Sequence, residues 1–178
     1  MEPVEINAGS YYLRQLRADE LLDDRPALLE AFADDAHQRY VDLRIGTLAA
    51  AGDYVTQRAE EWAADRRCSW CVAEPTTGRM LGEVGLKKLN LPVGTAEAAL
   101  WVHPDARGRG VAVAGLGAAL RFGFGALGLH QVTYQHTESN AASAAVARRC
   151  GFRFARAENT RGGDREIFLT RGPEVEGA

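Results

Sequence analysis

The clearest periodic signal in the chain is an apolar stripe. Val113, Leu116, Leu120, Phe124 and Leu127 recur at steps of three and four, which predicts one long helix after residue 110. Just before it, Ala99, Leu100, Trp101 and Val102 are compact or β-favouring and Pro104 ends the run, so Thr95 to Val102 reads as a strand. Upstream, Ser69 to Ala73 and Met80 to about Lys88 are strands joined by the turn Pro75-Thr-Thr-Gly78, and Leu91-Pro-Val-Gly94 is a second turn. Downstream, His130 to His136 is a strand with Val132, Tyr134 and His136 on one face. Asn140 to Cys150 is a short helix ending at Gly151, and Arg153–Ala157 and Arg165–Thr170 are the last strands. The N-terminal third is less regular. Tyr11 to Leu16 alternates as a first strand. Asp19 is placed to cap a helix running through Phe32, which Pro26 breaks or restarts. Residues 34–44 read as a loop or short helix, and Asp53 caps a clearer helix to about Arg66.

This order predicts an α/β (α+β) fold: a mixed sheet of six to seven strands, a strand–helix–strand crossover, and helices on both faces. The chain has 178 residues, enough for a single domain with a sizeable core. We place that domain at 10–171, with flexible ends at 1–9 and 172–178. One local conflict stands out. The long helix carries Gly115, Gly117, Gly123 and Gly125, each disfavoured by about 1 kcal/mol relative to Ala. Either the helix packs closely on the sheet there, or its C-terminal half is weak.

Charge narrows the functional classes. The net charge of −3 argues against a nucleic-acid binder dominated by phosphate contacts. No apolar run approaches a membrane span and the first residues do not read as a signal peptide, so the expectation is a soluble cytoplasmic protein. Cys68-Ser-Trp-Cys71 spells C-x-x-C, but in a strand residues three apart face opposite sides at roughly 10 Å, too far for a disulfide. No second cysteine pair or nearby histidine pair completes a metal site, so no metal is expected.

Between the strand and the long helix lies Arg107-Gly108-Arg109-Gly110. Glycines allow close backbone approach, a helix start offers unpaired N–H groups, and the arginines add charge, so this turn suits phosphate oxygens. It lacks the Gly-Lys-Ser/Thr of a nucleotide-triphosphate loop. Gly123-Phe-Gly-Ala-Leu-Gly128 spells G-x-G-x-x-G at the wrong end of a helix; we read it as close packing with a helix stop at Gly128. The pattern Arg107-x-x-Gly110-x-Ala112 after a strand closely resembles the acyl-CoA pyrophosphate loop of the GNAT acetyltransferases. The preceding Trp101-Val-His-Pro-Asp-Ala-Arg107 resembles the branch holding the RimJ/RimL-type ribosomal-protein N-terminal acetyltransferases. Asn140-Ala-Ala-Ser143 followed by Val146-Ala-Arg-Arg-Cys-Gly-Phe152 repeats the family's second block, in order and spacing. The resemblance is specific from about Glu97 to Phe154.

The resemblance implies an acetyl-CoA-dependent N-acetyltransferase acting on a primary amine, by direct transfer in a ternary complex. The acceptor would be a peptide or protein α-amine or a small-molecule amine. The competing class is a non-catalytic acyl-CoA-binding module. Carried onto this sequence, the backbone of Leu100, Trp101 and Val102 would meet the acetyl group and pantetheine arm. Arg107, Gly108, Arg109, Gly110, Val111 and Ala112 would hold the pyrophosphate. Asn140 would contact CoA, although an asparagine there is also a good helix cap with Ser143 as the third residue. Many relatives use a helix tyrosine to protonate the thiolate; Ala144 to Val146 contain none, which leaves Ser143 as the local acid. An Ala-Glu pair in RimL-type enzymes makes Glu158 a candidate base, with Glu83 the alternative. His103 reads as structural, His136 as a residue that can line the amine side, and Asp34, Asp35 and Asp42 as a border of the acceptor site or a solvated face. Homodimers are common among similar proteins.

Overall fold

The computed structural model describes residues 1–160 and 162–173. Eight strands form one sheet: β1 (Ile6–Asn7), β2 (Tyr12–Arg14), β3 (Cys68–Ala73), β4 (Met80–Asn90), β5 (Thr95–Val102), β6 (Gln131–Thr137), β7 (Arg153–Asn159) and β8 (Arg165–Arg171). Their spatial order is β1-β2-β3-β4-β5-β6-β8-β7. Every neighbouring pair is antiparallel except β5–β6. Five α-helices accompany the sheet: α1 (Arg25–Ala33), α2 (Asp35–Gln38), α3 (Leu48–Ala63), α4 (Val111–Gly125) and α5 (Ala141–Arg149). A short 3-10 turn, Pro104–Ala106, joins β5 to the α4 turn.

The sheet has two apolar sides. Trp70, Val72, Val84 and Leu86 pack with Leu116, Ala119 and Leu120 of α4. Cys71, Ala73 and Met80 pack with Leu28 and Phe32 of α1 and Tyr54 and Val55 of α3. Cys68 and Cys71 therefore fall in different clusters, on opposite faces as strand alternation requires. Both are free and buried, and burial pushes the Cys68 thiol up to about 12 and the Cys71 thiol far above its ordinary value.

Several expectations need correction. The sheet has eight strands rather than six or seven, because the lead-in carries β1, which pairs Ile6 with Leu13 and Asn7 with Tyr12. Trp70 Nε1 also donates to the Val4 carbonyl at 2.8 Å, tying the same segment to β3. The first helix starts at Arg25, with Pro26 in its first turn and Asp24 at the cap position. Asp19 does not cap it; its carboxylate accepts the N–H groups of Leu21 and Leu22 in a local turn. α3 begins at Leu48, with Thr47 Oγ1 accepting from Ala50 N–H, and not at Asp53. Ala49, Ala50 and Ala51 favour the helix enough to carry it past Gly52. α4 ends at Gly125, and Gly128 follows in the left-handed region at φ 66°. Residues 174–178 of the expected C-terminal tail lie outside the described residues.

One feature of the sheet positions the site. β5 pairs with β4 from Val102 back to Thr95, but with β6 only at Thr95, Ala96 and Glu97. Beyond Glu97 the two strands part, and one edge of Ala98–Val102 faces the gap.

Candidate active site

A cavity of about 450 Å³ opens at this parting of β5 and β6. Leu100, Trp101 and Val102 of β5 form one wall. Arg107, Gly108, Gly110, Val111 and Ala112 of the turn into α4 form its floor. Asn140, Ser143, Val146 and Arg149 come from the N-cap and body of α5. Ala36, His37, Tyr40 and Val41, in and after α2, cover the other side. The sequence therefore scattered over a hundred residues what the fold gathers around one space.

The turn into α4 has the backbone of an anion cradle. Gly108 and Gly110 sit at φ 74° and 79°, a region an L side chain enters at a cost of about 1–2 kcal/mol. A Cβ on either would meet nothing within 4 Å, so the demand for glycine here is conformational and the turn is open. Gly110 is the N-cap of α4 and supplies no side-chain cap, which leaves the first N–H groups of the helix facing outward with its positive dipole end. Arg107 Nη2 donates to Asp34 Oδ2 at 2.5 Å, and this bond with the arginine holds Asp34 below the usual carboxylate range. Arg109 does not line the cavity. Its carbonyl accepts from Tyr11 Oη at 2.5 Å, and its guanidinium lies 4.0 Å from Glu74.

At α5 both readings of Asn140-x-x-Ser143 have a structural basis. Asn140 Oδ1 accepts the Ser143 N–H at 3.0 Å, so the asparagine is a cap, and its NH₂ group is left without that duty. Ser143 Oγ lies 2.6 Å from the hydroxyl of Tyr134, which arrives from β6. Tyr134 is buried against Phe152, and burial raises its phenol above the ordinary value even against the hydrogen bond from Ser143. The tyrosine beside Ser143 thus comes from a neighbouring strand and is not itself in the cavity wall.

Neither carboxylate expected as a base lines the cavity. Glu158 lies on the sheet-edge strand β7, exposed and paired with Arg156. Glu83 on β4 is 1% exposed and fully engaged. It accepts from Tyr54 Oη at 2.6 Å and Trp101 Nε1 at 3.1 Å, with Arg67 at 3.0 Å and Arg58 at 3.4 Å. Its geometric effect is to pin the Trp101 indole. Asp35 and Asp42 are not in the wall either, and Asp34 is held by Arg107.

The histidines separate cleanly. His103 is buried, accepts from Asp105 N–H at 3.3 Å and lies 3.1 Å from Glu30, which ties the 3-10 turn to α1. His136 is buried with Nδ1 2.8 Å from the Thr137 carbonyl and is not in the cavity wall. His37, which the sequence did not single out, is in the wall. It packs between Phe32, at 4.4 Å between ring centroids, and Trp101, at 6.0 Å. Burial, and then the Arg107 charge, lower its pKa below the ordinary histidine value. The signal available for it was Asp34-x-x-His37: Asp34 Oδ2 accepts the His37 N–H at 2.8 Å and so starts α2.

Comparison with known proteins follows this geometry. The family described as the acetyltransferase (GNAT) domain matches residues 12–153. No curated protein matches the sequence significantly. Among solved structures, RimL, a ribosomal L7/L12 α-N-protein acetyltransferase in complex with coenzyme A, superposes with a TM-score of 0.84 at 16% identity, over 95% of this chain and 98% of that one. The ribosomal-protein-S5-alanine acetyltransferase of Vibrio fischeri gives 0.80 at 15% identity, over 95% and 96%. The microcin C7 self-immunity acetyltransferase MccE, in complex with acetyl-CoA and AMP, gives 0.78 at 13% identity, over 92% and 93%. At these identities the likeness is one of fold.

Proposed function

The chain belongs to the GNAT acetyltransferases, and from that premise we propose that it moves an acetyl group from acetyl-CoA to a primary amine by direct transfer in a ternary complex. The observation that carries this reading is the continuity of one cavity from the unpaired edge of β5, across the Gly108–Gly110 turn, to Asn140 and Ser143. Acetyl-CoA supplies an activated acetyl thioester; the residues hold it and manage protons. The N–H groups at the start of α4 and the Arg107 guanidinium bind the pyrophosphate, with Asp34 yielding its hold on the arginine. The open backbone edge of Leu100–Val102 bonds the acyl carbonyl and the pantetheine arm. The Asn140 NH₂ donates to the same arm, and Ser143 Oγ protonates the departing sulfur. All three cysteines are buried, and none lines the cavity, which supports direct transfer over an acyl-cysteine. Among the described residues no helix is long and apolar enough to cross a membrane.

The test has two arms. Acetyl-CoA at a hundred times its dissociation constant should stabilise the protein by about 2.7 kcal/mol, read as a rise in Tm. Gly110→Asp, which sets a carboxylate beside the phosphates, should abolish that rise; an unchanged shift in the variant refutes the binding site. Free-thiol release from acetyl-CoA across pools of amines then separates an enzyme from an acyl-CoA-binding module, which would show the Tm rise without turnover.

A further inference from the structure

With Glu158 on the edge strand and Glu83 sealed behind Trp101, no carboxylate among the described residues lines the cavity. Among the described residues that line it, His37 is the one side chain able to act as a base near neutral pH. The ring is 7% exposed, and neither of its nitrogens is hydrogen-bonded among the described residues. Only Nε2 is closed off from water, so Nδ1 is the nitrogen that a bound amine can reach. The ring is also held in place: Asp34 fixes its backbone, Phe32 and Trp101 fix its plane, and Glu83 fixes Trp101.

We propose that the His37 imidazole accepts the proton that the acceptor amine sheds as it attacks. This rests on the acetyl-transfer reading above. The amine nitrogen forms the new bond to the acetyl carbon, and the carbon–sulfur bond breaks. The nitrogen's proton passes to His37, and the sulfur takes a proton from Ser143 Oγ. His37 releases its proton to solvent, from which Ser143 is restored, so the proton lost by the amine balances the one gained by the thiol.

The surroundings of the ring bear on its charge. The charged groups acting on the ring are Arg107 from the α4 turn, Asp34 from the α2 cap and Arg44 beyond α2; the two arginines oppose protonation and Asp34 favours it. Burial is the largest influence and acts with the arginines, so the ring is biased toward its neutral, proton-accepting form.

The experiment compares the intact protein with His37→Gln, using a short peptide with a free α-amine and an Nα-blocked lysine as paired acceptors. Both proteins should show the same acetyl-CoA-induced rise in Tm, which establishes that the variant is folded and binds donor. His37→Gln should lower kcat/KM by about 10²-fold or more at neutral pH for whichever acceptor the wild type uses. At acid pH the wild-type kcat/KM should fall with the square of proton concentration, since amine and imidazole must both be deprotonated; the variant should fall only with the first power. A variant with wild-type rate and profile overturns the assignment while leaving acetyl transfer intact. Absence of thiol release from wild type with either acceptor and with amine pools overturns both readings together.

Discussion

Ser143 makes two hydrogen bonds that serve different ends. Its N–H completes the cap of α5 through Asn140, while its hydroxyl meets Tyr134 at 2.6 Å. If the hydroxyl protonates the thiolate, Ser143→Ala should lower kcat by about ten- to a thousand-fold and leave acetyl-CoA affinity nearly unchanged. Lost affinity with surviving kcat would reassign the residue to binding. Tyr134→Phe keeps the cap and the aromatic packing against Phe152 but deletes the partner of the hydroxyl. Steady-state kinetics should then show a fall in kcat of about tenfold without a change in KM for acetyl-CoA; equal activity would mean that Tyr134 only fills space. The cap was legible in the sequence because Asn140 and Ser143 are local, three residues apart. The tyrosine was not, because its meeting with Ser143 depends on how β6 and α5 pack. Glu158 shows the converse: a local motif suggested a base, and the sheet edge put its side chain in solvent beside Arg156.

At the scale of elements, α4 resolves its own glycine conflict. A Cβ on Gly115 would stand 2.7 Å from Val72 and 3.1 Å from Val84, and one on Gly123 would stand 2.9 Å from Leu86. These two glycines face the sheet and let the helix lie against β3 and β4. A Cβ on Gly117 would meet only the end of Arg121, at 3.9 Å. The four glycines therefore divide in their response to alanine. Gly115→Ala should destabilise by about 1–3 kcal/mol through overpacking, and Gly117→Ala should stabilise by up to about 1 kcal/mol through helix propensity. Denaturant unfolding of the two variants checks the opposite signs. The stripe from Val113 to Leu127 announced the helix, but which glycines touch the sheet required knowing its rotation. Helix starts were the weakest reading, because Asp19 and Asp53 are good caps in isolation and lost to Pro26 and Thr47, which fit the chain's actual path.

At the scale of the whole molecule, the strand sequence conveyed the architecture well. Seven of eight strands and the crossover through α4 follow from alternation and turn residues; β1, with two residues, is too short to show a period. Where β5 leaves β6 is a matter of register between strands far apart in sequence, which alternation does not encode. That departure has a consequence in hydrogen exchange. β4 is flanked on both sides, by β3 and β5, so the amides of Gly82–Leu86 have ladder partners whichever way they point. The last residues of β5 have only β4. Every second amide from Ala99 to Val102 should therefore trade its proton for deuterium far sooner than its immediate neighbours, in a strand at the middle of the sheet. Saturating acetyl-CoA should erase the alternation. Uniform protection along β5 in the free protein would mean that the gap closes in solution, and with it the room in which a thioester must lie.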